Sequence, residues 1–388
     1  MTHRVAIVGA GPSGFYAADG LLRGASVSGP DLHIDIIDRL PTPFGLVRAG
    51  VAPDHQGTKA IVRQFEKLLA QPDVRFCGNL EIGRDMGWDE VVAAYDAVIV
   101  ATGMVIDRKL GVPGEELAHV WGSWRFVAWL NGHPDFRSGP DLTAVKRVAV
   151  IGNGNVAIDV ARVLAKSADE MAKSDIVPEA GAAIAAAPIA SIDIIGRRGP
   201  EHASFTNNEL AEMGRLARAV ALVDAKALDV TVPAGDPTPE RLRKTKNIEI
   251  LRGFAANTPG SKPIALRFLF NTSPKAITQG DYDLVVTCIG YSGADFPKGD
   301  SVFPVGWAKR GPSGTIPTNR ADSHAVAQQV LAWLKDRTPK SGVDPLPLVT
   351  DTAGWHRIDK AEIAAGAAQG RPRLKLTDWA SLLKVAEG

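Results

Sequence analysis

Two glycine-rich turns carry the chemistry that can be read first from this chain. Gly9-Ala10-Gly11-Pro12-Ser13-Gly14 follows the apolar run "RVAIV" and leads into the amphipathic run "SGFYAADGLLR". Glycines at that spacing permit a tight strand-to-helix turn and the close approach of a pyrophosphate. The pyrophosphate then rests on the positive N-terminus of the helix. The next apolar run, "HIDIID", ends on Asp38. A carboxylate at that place accepts hydrogen bonds from an adenosine ribose and repels a 2′-phosphate. The first cradle is therefore read as a site for FAD or NAD.

The second cradle is Gly152-Asn153-Gly154-Asn155-Val156-Ala157, inside "VAVIGNGNVAIDVAR", with alanine in place of the third glycine. Its following run, "SIDIIG", leads into Arg197 and Arg198 where the first led into Asp38. Guanidinium groups pair with phosphate through bidentate, charge-assisted hydrogen bonds. Two arginines at a strand end are ordinary solvated surface when they stand alone. After a second cradle, and against Asp38, they point to NADP. Two dinucleotides in one chain imply that electrons pass between them, with hydride moving from NADPH to a flavin and electrons leaving the flavin afterwards.

The elements that must position these cradles are legible as an internal echo. "YDAVIVATG" (Tyr95 to Gly103) and "YDLVVTCIG" (Tyr282 to Gly290) each read as a short inner strand closed by a turn. The chain is expected to leave and re-enter the first domain at these segments. The expectation is an α/β fold of two Rossmann-like domains, each a three-layer arrangement. A discontinuous FAD-binding domain covers 1–106 and 287–388, and an NADP-binding domain at 107–286 is inserted into it. A length of 388 residues suits two cores, and 45% hydrophobic with 22% charged residues suits a globular chain.

The net charge of +1 argues against bulk binding to nucleic acid or an anionic membrane. No apolar run is long enough to span a bilayer, and no secretory signal precedes the first strand, so a cytoplasmic protein is expected. The 2 cysteines, Cys77 and Cys288, stand far apart in no ligating pattern. That spacing argues against a disulfide framework, a zinc site or an iron–sulfur cluster in this chain, and no metal is expected.

Four segments together resemble the adrenodoxin reductase family, whose bacterial members are ferredoxin–NADP⁺ reductases. They are "LPTPFGLVRAGVAPDHQGTK" (Leu40 to Lys59), "IGNGNVAIDVAR", "IGRRGP" and "VGWAKRGPSGTIPTN" (Val305 to Asn319), with "GRPRLK" (Gly370 to Lys375) extending the match toward the C-terminus. The resemblance implies FAD contacts at Ser13, Asp38, Leu46, Ile82, Trp307, Gly314, Thr315 and Ile316, beside the cradle residues Gly9, Gly11, Pro12 and Gly14. It implies NADP contacts at Arg108, Asn155, Val156, Ala157, Ile158, Arg197, Arg198, Glu209 and Gly314, beside Gly152 and Gly154. The family often has glutamate where this chain has Asp38, and tryptophan at Trp307 implies an indole near the flavin ring. "GPSGTIPTN" reads as a helix start whose backbone N–H groups meet the flavin's electron-rich pyrimidine edge. His55 and Glu212 match a polar pair beside the nicotinamide and flavin. On their residue types alone, a turn histidine and a solvated glutamate are the plainer readings; the resemblance gives them positioning and proton supply.

The implied partner is an acidic iron–sulfur ferredoxin of the 2Fe-2S kind, serving a P450, a similar oxygenase or a biosynthetic pathway, with the reductase a monomer. The basic run "ERLRKTKNIEILR" (Glu240 to Arg252) supplies a candidate docking patch at Arg241, Arg243, Lys244 and Lys246. On charge alone that run is an ordinary solvated helix end. The chain is shorter than typical members between Phe254 and Tyr282 and between Gly290 and Phe303, which bears on partner choice more than on chemistry. A flavin monooxygenase is the alternative enzyme, and a nucleotide-binding regulatory protein without redox turnover the alternative from another class. A disulfide reductase would need a cysteine pair beside the flavin, which the chain lacks.

Overall fold

The computed structural model describes residues 2–233, 235–340, 342 and 350–388. In chain order the strands begin with β1 (His3–Val8), β2 (Leu32–Ile37), β3 (Val74–Cys77), β4 (Ala97–Val100), β5 (Ile106–Asp107) and β6 (Val120–Gly122). They continue with β7 (Arg147–Ile151), β8 (Ser191–Ile195), β9 (Ala219–Val223), β10 (Ile264–Leu269), β11 (Leu284–Thr287), β12 (Tyr291–Ser292) and β13 (Val302–Pro304).

Two parallel sheets result. The first runs β13-β4-β1-β2-β3 and the second β6-β11-β7-β8-β10-β9. Their inner strands are nearly continuous apolar runs, "AVIV" in β4 and "RVAVI" in β7, because helices cover both faces and leave no solvent side to alternate toward. Each cradle helix packs on its own sheet. The helix Pro12–Ser28 also packs closely on the helix Thr318–Leu334, with no room for a side chain at Gly20, whose added Cβ would stand 2.8 Å from the Ala327 Cβ. The first sheet thus draws its central strands from the start of the chain and its edge strand β13 from the later part.

The echoed segments occupy matching places. β4 lies beside β1 and β11 beside β7, each an inner strand next to the strand that feeds a cradle. After β4 the chain crosses as β5, and after β11 it returns as β12. The two crossings pair with each other as an antiparallel ribbon, Ile106 to Ser292 and Asp107 to Tyr291. Separate apolar clusters fill the two units: Phe15, Phe65, Ile34 and Trp355 in the first, and Phe126, Ile158, Phe205 and Leu251 in the second.

Candidate active site between two nucleotide cradles

The first cradle opens where β1 ends. Gly9 has φ +113, and a Cβ there would stand 2.4 Å from the Ala101 carbonyl oxygen, so the turn tolerates no side chain. A Cβ at Gly11 would meet nothing within 4 Å. The space above Gly11 belongs to no protein atom, and the helix Pro12–Ser28 begins there with no side-chain cap, leaving first-turn N–H groups for an anion. Asp38 Oδ2 accepts the Ala10 N–H at 2.8 Å and Oδ1 accepts the Leu40 N–H at 2.9 Å. Burial pushes its carboxyl up, and the two backbone donors work against that push. Each oxygen keeps a further lone pair, so ribose hydroxyls can still be accepted. These features fit an adenylate pyrophosphate.

The segment that leads to Trp307, expected among the FAD contacts, lies beside this cradle, where a Cβ at Gly306 would stand 2.0 Å from Ser13 Oγ. The Phe44 N–H donates to the Ala10 carbonyl at 2.7 Å, and the turn at Phe44 and Gly45 sets Leu46 at the start of the short helix Leu46–Ala49. Ile82 is half-buried against the cluster of Leu80, Met86 and Val91 beyond β3. The Trp307 ring stacks on Tyr291 with centroids 6.0 Å apart, and its Nε1 donates to the Ser313 carbonyl at 3.1 Å. The long helix begins at Thr318, later than the segment "GPSG" implies, and the Thr315 N–H is already committed to Thr318 Oγ1 at 3.0 Å. Gly314 and Ile316 lie in the turn before that helix rather than on it.

At the second cradle Gly152 takes the same role as Gly9, its Cβ position 2.3 Å from the Cys288 carbonyl oxygen. The helix Asn155–Ala165 again starts without a side-chain cap. Ala157 and Ile158 are fully buried, and their N–H groups both donate to the Gly154 carbonyl, at 3.0 and 3.2 Å. The helix start therefore offers the N–H groups of Asn155 and Val156 to a ligand, a narrower set than the sequence implied. Asn155 Oδ1 accepts the Thr206 N–H at 2.8 Å, and Thr206 Oγ1 donates to Glu209 at 3.0 Å. Burial pushes the Glu209 carboxyl up against the pull of that hydrogen bond. Arg197 and Arg198 stand exposed beyond β8, and Arg108 lies on the crossing, its Nε donating to the Tyr291 carbonyl at 2.9 Å.

Between the units lies a charged cluster. His55 Nε2 and Glu212 Oε2 are 3.4 Å apart, although 157 positions separate them in sequence. Arg162, with no side-chain exposure, donates to His55 Nε2, to Glu212 at 2.9 Å, to Asp54 at 3.0 Å and to Asp159 at 2.9 Å. Burial disfavours the Asp54 carboxylate, but Arg162 and Lys166 outweigh it and hold the group low. Burial pushes Asp159 up to about 8, with Arg162 opposing and Glu209, Asp54 and Glu212 adding to the rise. Among the described residues, His55, Asp159 and Glu209 come close enough to share a cation, within 4.8 Å of one another. The Arg162 guanidinium already supplies positive charge at that spot.

A family profile described as pyridine nucleotide-disulphide oxidoreductase matches residues 3–191. The NADPH-ferredoxin reductase FprA of Mycobacterium leprae is 37% identical, over 100% of this chain and 99% of the relative. The chain belongs to the adrenodoxin reductase family. The mitochondrial NADPH:adrenodoxin oxidoreductase of Arabidopsis thaliana, another relative, is 32% identical over 98% of this chain and 95% of its own length. The solved structure of Mycobacterium tuberculosis FprA in complex with NADPH superposes with a TM-score of 0.93 at 34% identity, covering 100% of both chains. The alignment with the M. leprae relative runs over 464 positions against 388 residues here, so the adrenodoxin reductase relatives carry segments that this chain lacks.

The basic run requires a correction. It forms most of the helix Thr238–Ala255, and two of the four candidate docking cations turn inward. Lys244 is buried and donates to Asp236 at 2.8 Å, while Arg243 donates to the Ala203 and Phe205 carbonyls at 3.2 and 2.9 Å. Arg243 thus fastens the helix to the segment 203–205, while Lys244 is held by Asp236 and Glu240 at the helix's own N-terminal end. Arg241 and Lys246 remain exposed, Lys246 paired with Glu249 at 2.9 Å. Sequence reading missed Asp54, Asp159 and Arg162. The one available signal was Asp159 and Arg162 at (i, i+3) on the cradle helix, a pattern that surface helices also show.

Proposed function

We propose that this chain transfers electrons from NADPH through FAD to an iron–sulfur ferredoxin. The observation that carries the reading is the pairing of two uncapped glycine cradles of opposite strand-end polarity, Asp38 against Arg197 and Arg198, joined by the cluster that unites His55 and Glu212. FAD is the cofactor and NADP(H) the coenzyme; bound FAD takes two electrons as hydride and returns them singly, which suits a one-electron acceptor. The unit around the first sheet, 1–106 with 287–388, is read as the FAD-binding domain, and 107–286 as the NADP-binding domain.

The chain's own residues do the positioning. Gly11 and the N–H groups behind it receive the pyrophosphate, and Asp38 selects an unphosphorylated ribose. Asn155 and Val156 receive the second pyrophosphate, and Arg197 and Arg198 select the 2′-phosphate. His55 and Glu212 are read as the groups that orient the reacting rings and manage protons there, with Trp307 against Tyr291 closing one side. The finer reading is an acidic 2Fe-2S acceptor docking near Arg241 and Lys246, with the reductase a cytoplasmic monomer. No helix among the described residues is long and apolar enough to cross a membrane.

The test is turnover of purified, FAD-loaded protein with NADPH and a panel of ferredoxins, alongside stopped-flow reoxidation of the reduced enzyme by oxygen. Ferredoxin reduction coupled to NADPH oxidation is the expected result. A long-lived oxygen adduct with no ferredoxin turnover would make the chain a monooxygenase instead.

A further inference from the structure

Arg162 is the most completely enclosed charge in the molecule's charged cluster, and the electron route does not by itself explain it. It sits on the helix Asn155–Ala165 of the second cradle, while Asp54 and His55 come from the segment that precedes the short helix Gln56–Lys59 on the flavin side. Glu212 ends the helix Asn207–Glu212. One guanidinium therefore ties together side chains from both nucleotide-binding units. Its Nη1 serves His55 Nε2 and Glu212, its Nη2 serves Asp54 and Asp159, and its Nε is buried without a partner. Lys166 Nζ holds the other Asp54 oxygen at 2.6 Å.

This arrangement fixes more than position. A guanidinium offers five N–H donors and no acceptor. A ring nitrogen that accepts from it presents a lone pair, which leaves the proton of a neutral His55 ring on Nδ1. Two carboxyl groups compete for that proton: Glu212 stands 3.4 Å from Nε2, and Asp159 stands 3.7 Å from Nδ1. Arg162 Nη1 faces both Nε2 and Glu212, which leaves Asp159 as the carboxyl group on the Nδ1 side. Lys166 and Glu209 complete the set of charged groups facing the cluster.

We propose that Arg162 is a positioning residue for hydride transfer, which holds His55 in the Nδ1–H form and locks His55 and Glu212 together across the two units. This rests on reading the junction as the place where nicotinamide and flavin meet. His55 then carries its proton on the side of Asp159, and Glu212 acts as a clamped acceptor rather than as the partner of a histidine N–H. Arg162 stands apart from Arg197 and Arg198, so it governs the reacting geometry rather than coenzyme affinity.

The experiment is ring-nitrogen NMR of FAD-loaded protein labelled with ¹⁵N-histidine, with His55→Gln used only to assign the signal. The expected wild-type spectrum shows His55 protonated at Nδ1 and bare at Nε2. Arg162→Met should move protonation toward Nε2 and lower kcat for NADPH-driven ferricyanide reduction roughly ten- to a hundredfold, as loss of orientation does. The KM for NADPH should move less than about twofold, because no phosphate contact is lost. Arg162→Lys, which keeps the charge but on a single donor nitrogen, should recover part of kcat. A wild-type His55 protonated at Nε2 overturns the proposal without any variant, so a misfolded Arg162→Met protein does not leave it untested. An Arg162→Met enzyme with unchanged tautomer and unchanged kcat overturns it as well. Failure to reduce any ferredoxin, with the Nδ1–H form intact, would count against the functional reading alone.

Discussion

The two nucleotide-binding units share one plan down to their buried polar contacts and differ at the strand ends beside their cradles. In the first, Asp35 in the middle of β2 accepts from Arg75 on the neighbouring strand at 2.7 Å and from the Tyr95 hydroxyl at 2.6 Å. In the second, Asp193 at the matching place in β8 accepts from Arg267 at 2.6 Å and from the Tyr282 hydroxyl at 2.8 Å. The next residues repeat as well: Asp96 takes the Arg4 N–H at 2.8 Å, and Asp283 takes the Arg147 N–H at 2.8 Å. The tyrosine–aspartate pairs that open the two echoed segments are thus the ends of equivalent clusters. At the strand ends the likeness stops. Asp38 is drawn inward onto two backbone N–H groups, whereas Arg197 and Arg198 project into solvent. The fold repeats its polar skeleton, and the two units part at Asp38 against Arg197 and Arg198, outside that skeleton.

The largest effect that can break this comparison is loss of one cradle at a time. Gly11 has open space where a Cβ would go, so Gly11→Val should fold yet fail to retain FAD, giving colourless protein with unchanged circular dichroism. Gly154 has only Ser204 Oγ nearby, at 3.2 Å, so Gly154→Val should keep its flavin and lose reduction by NADPH. Yellow protein from the first variant, or colourless protein from the second, would show that the cradles are assigned the wrong way round.

Next comes the polarity of the strand ends. Arg197→Ala with Arg198→Ala should raise the KM for NADPH roughly ten- to a hundredfold, at about 1.5–3 kcal/mol for each charge-assisted contact reduced by exposure to solvent. NADH kinetics should stay nearly unchanged. A wild-type enzyme that uses both coenzymes equally well would remove the reason for contrasting the arginines with Asp38.

The repeated buried clusters should differ in strength because their surroundings differ. Burial disfavours the Asp35 carboxylate, but hydrogen bonds from His33, Arg75 and Tyr95 outweigh it and hold the group at about 2. A depressed carboxyl stabilises the fold above its ordinary value near 4, and that contribution is lost as pH falls toward about 2. Asp35→Asn should therefore cost on the order of 2 kcal/mol at neutral pH and flatten the acid limb of a denaturation series. Asp193→Asn should cost about 1 kcal/mol or less, since its arginine partner is 47% exposed and screened. Equal losses would mean that exposure of the arginine does not set the strength of the cluster.

How much of this was legible follows from what each feature depends on. The cradles, the polarity of Asp38 against Arg197 and Arg198, and the echoed inner strands are local: the residues concerned are neighbours in sequence, and strand, turn and helix impose their spacing. His55 and Glu212 needed the resemblance, because 157 positions separate them and nothing nearby in sequence marks either one. Arg162 stayed hidden because its meaning comes from partners on three different segments. Lys244 misled for the opposite reason. A charge run shows its composition but not which members turn back toward Asp236, in the turn just before the helix.

The smallest effect concerns the face that would meet the acceptor. Arg241 and Lys246 lie on the outer side of the helix Thr238–Ala255, beside Leu242, which is 64% exposed. Charges of this kind steer encounter more than they hold the complex, so their contribution falls with ionic strength. Arg241→Glu with Lys246→Glu should slow ferredoxin reduction several-fold at low salt and much less at high salt. NADPH-driven ferricyanide reduction, which needs no docking, should change little. Lys244→Glu should behave differently, since it places a carboxylate against Asp236 in a buried setting, and it should lower thermal stability and both activities together. If Arg241→Glu with Lys246→Glu leaves ferredoxin reduction and its salt dependence untouched, the outer face of this helix is solvated surface. The acceptor must then approach from another side of the junction.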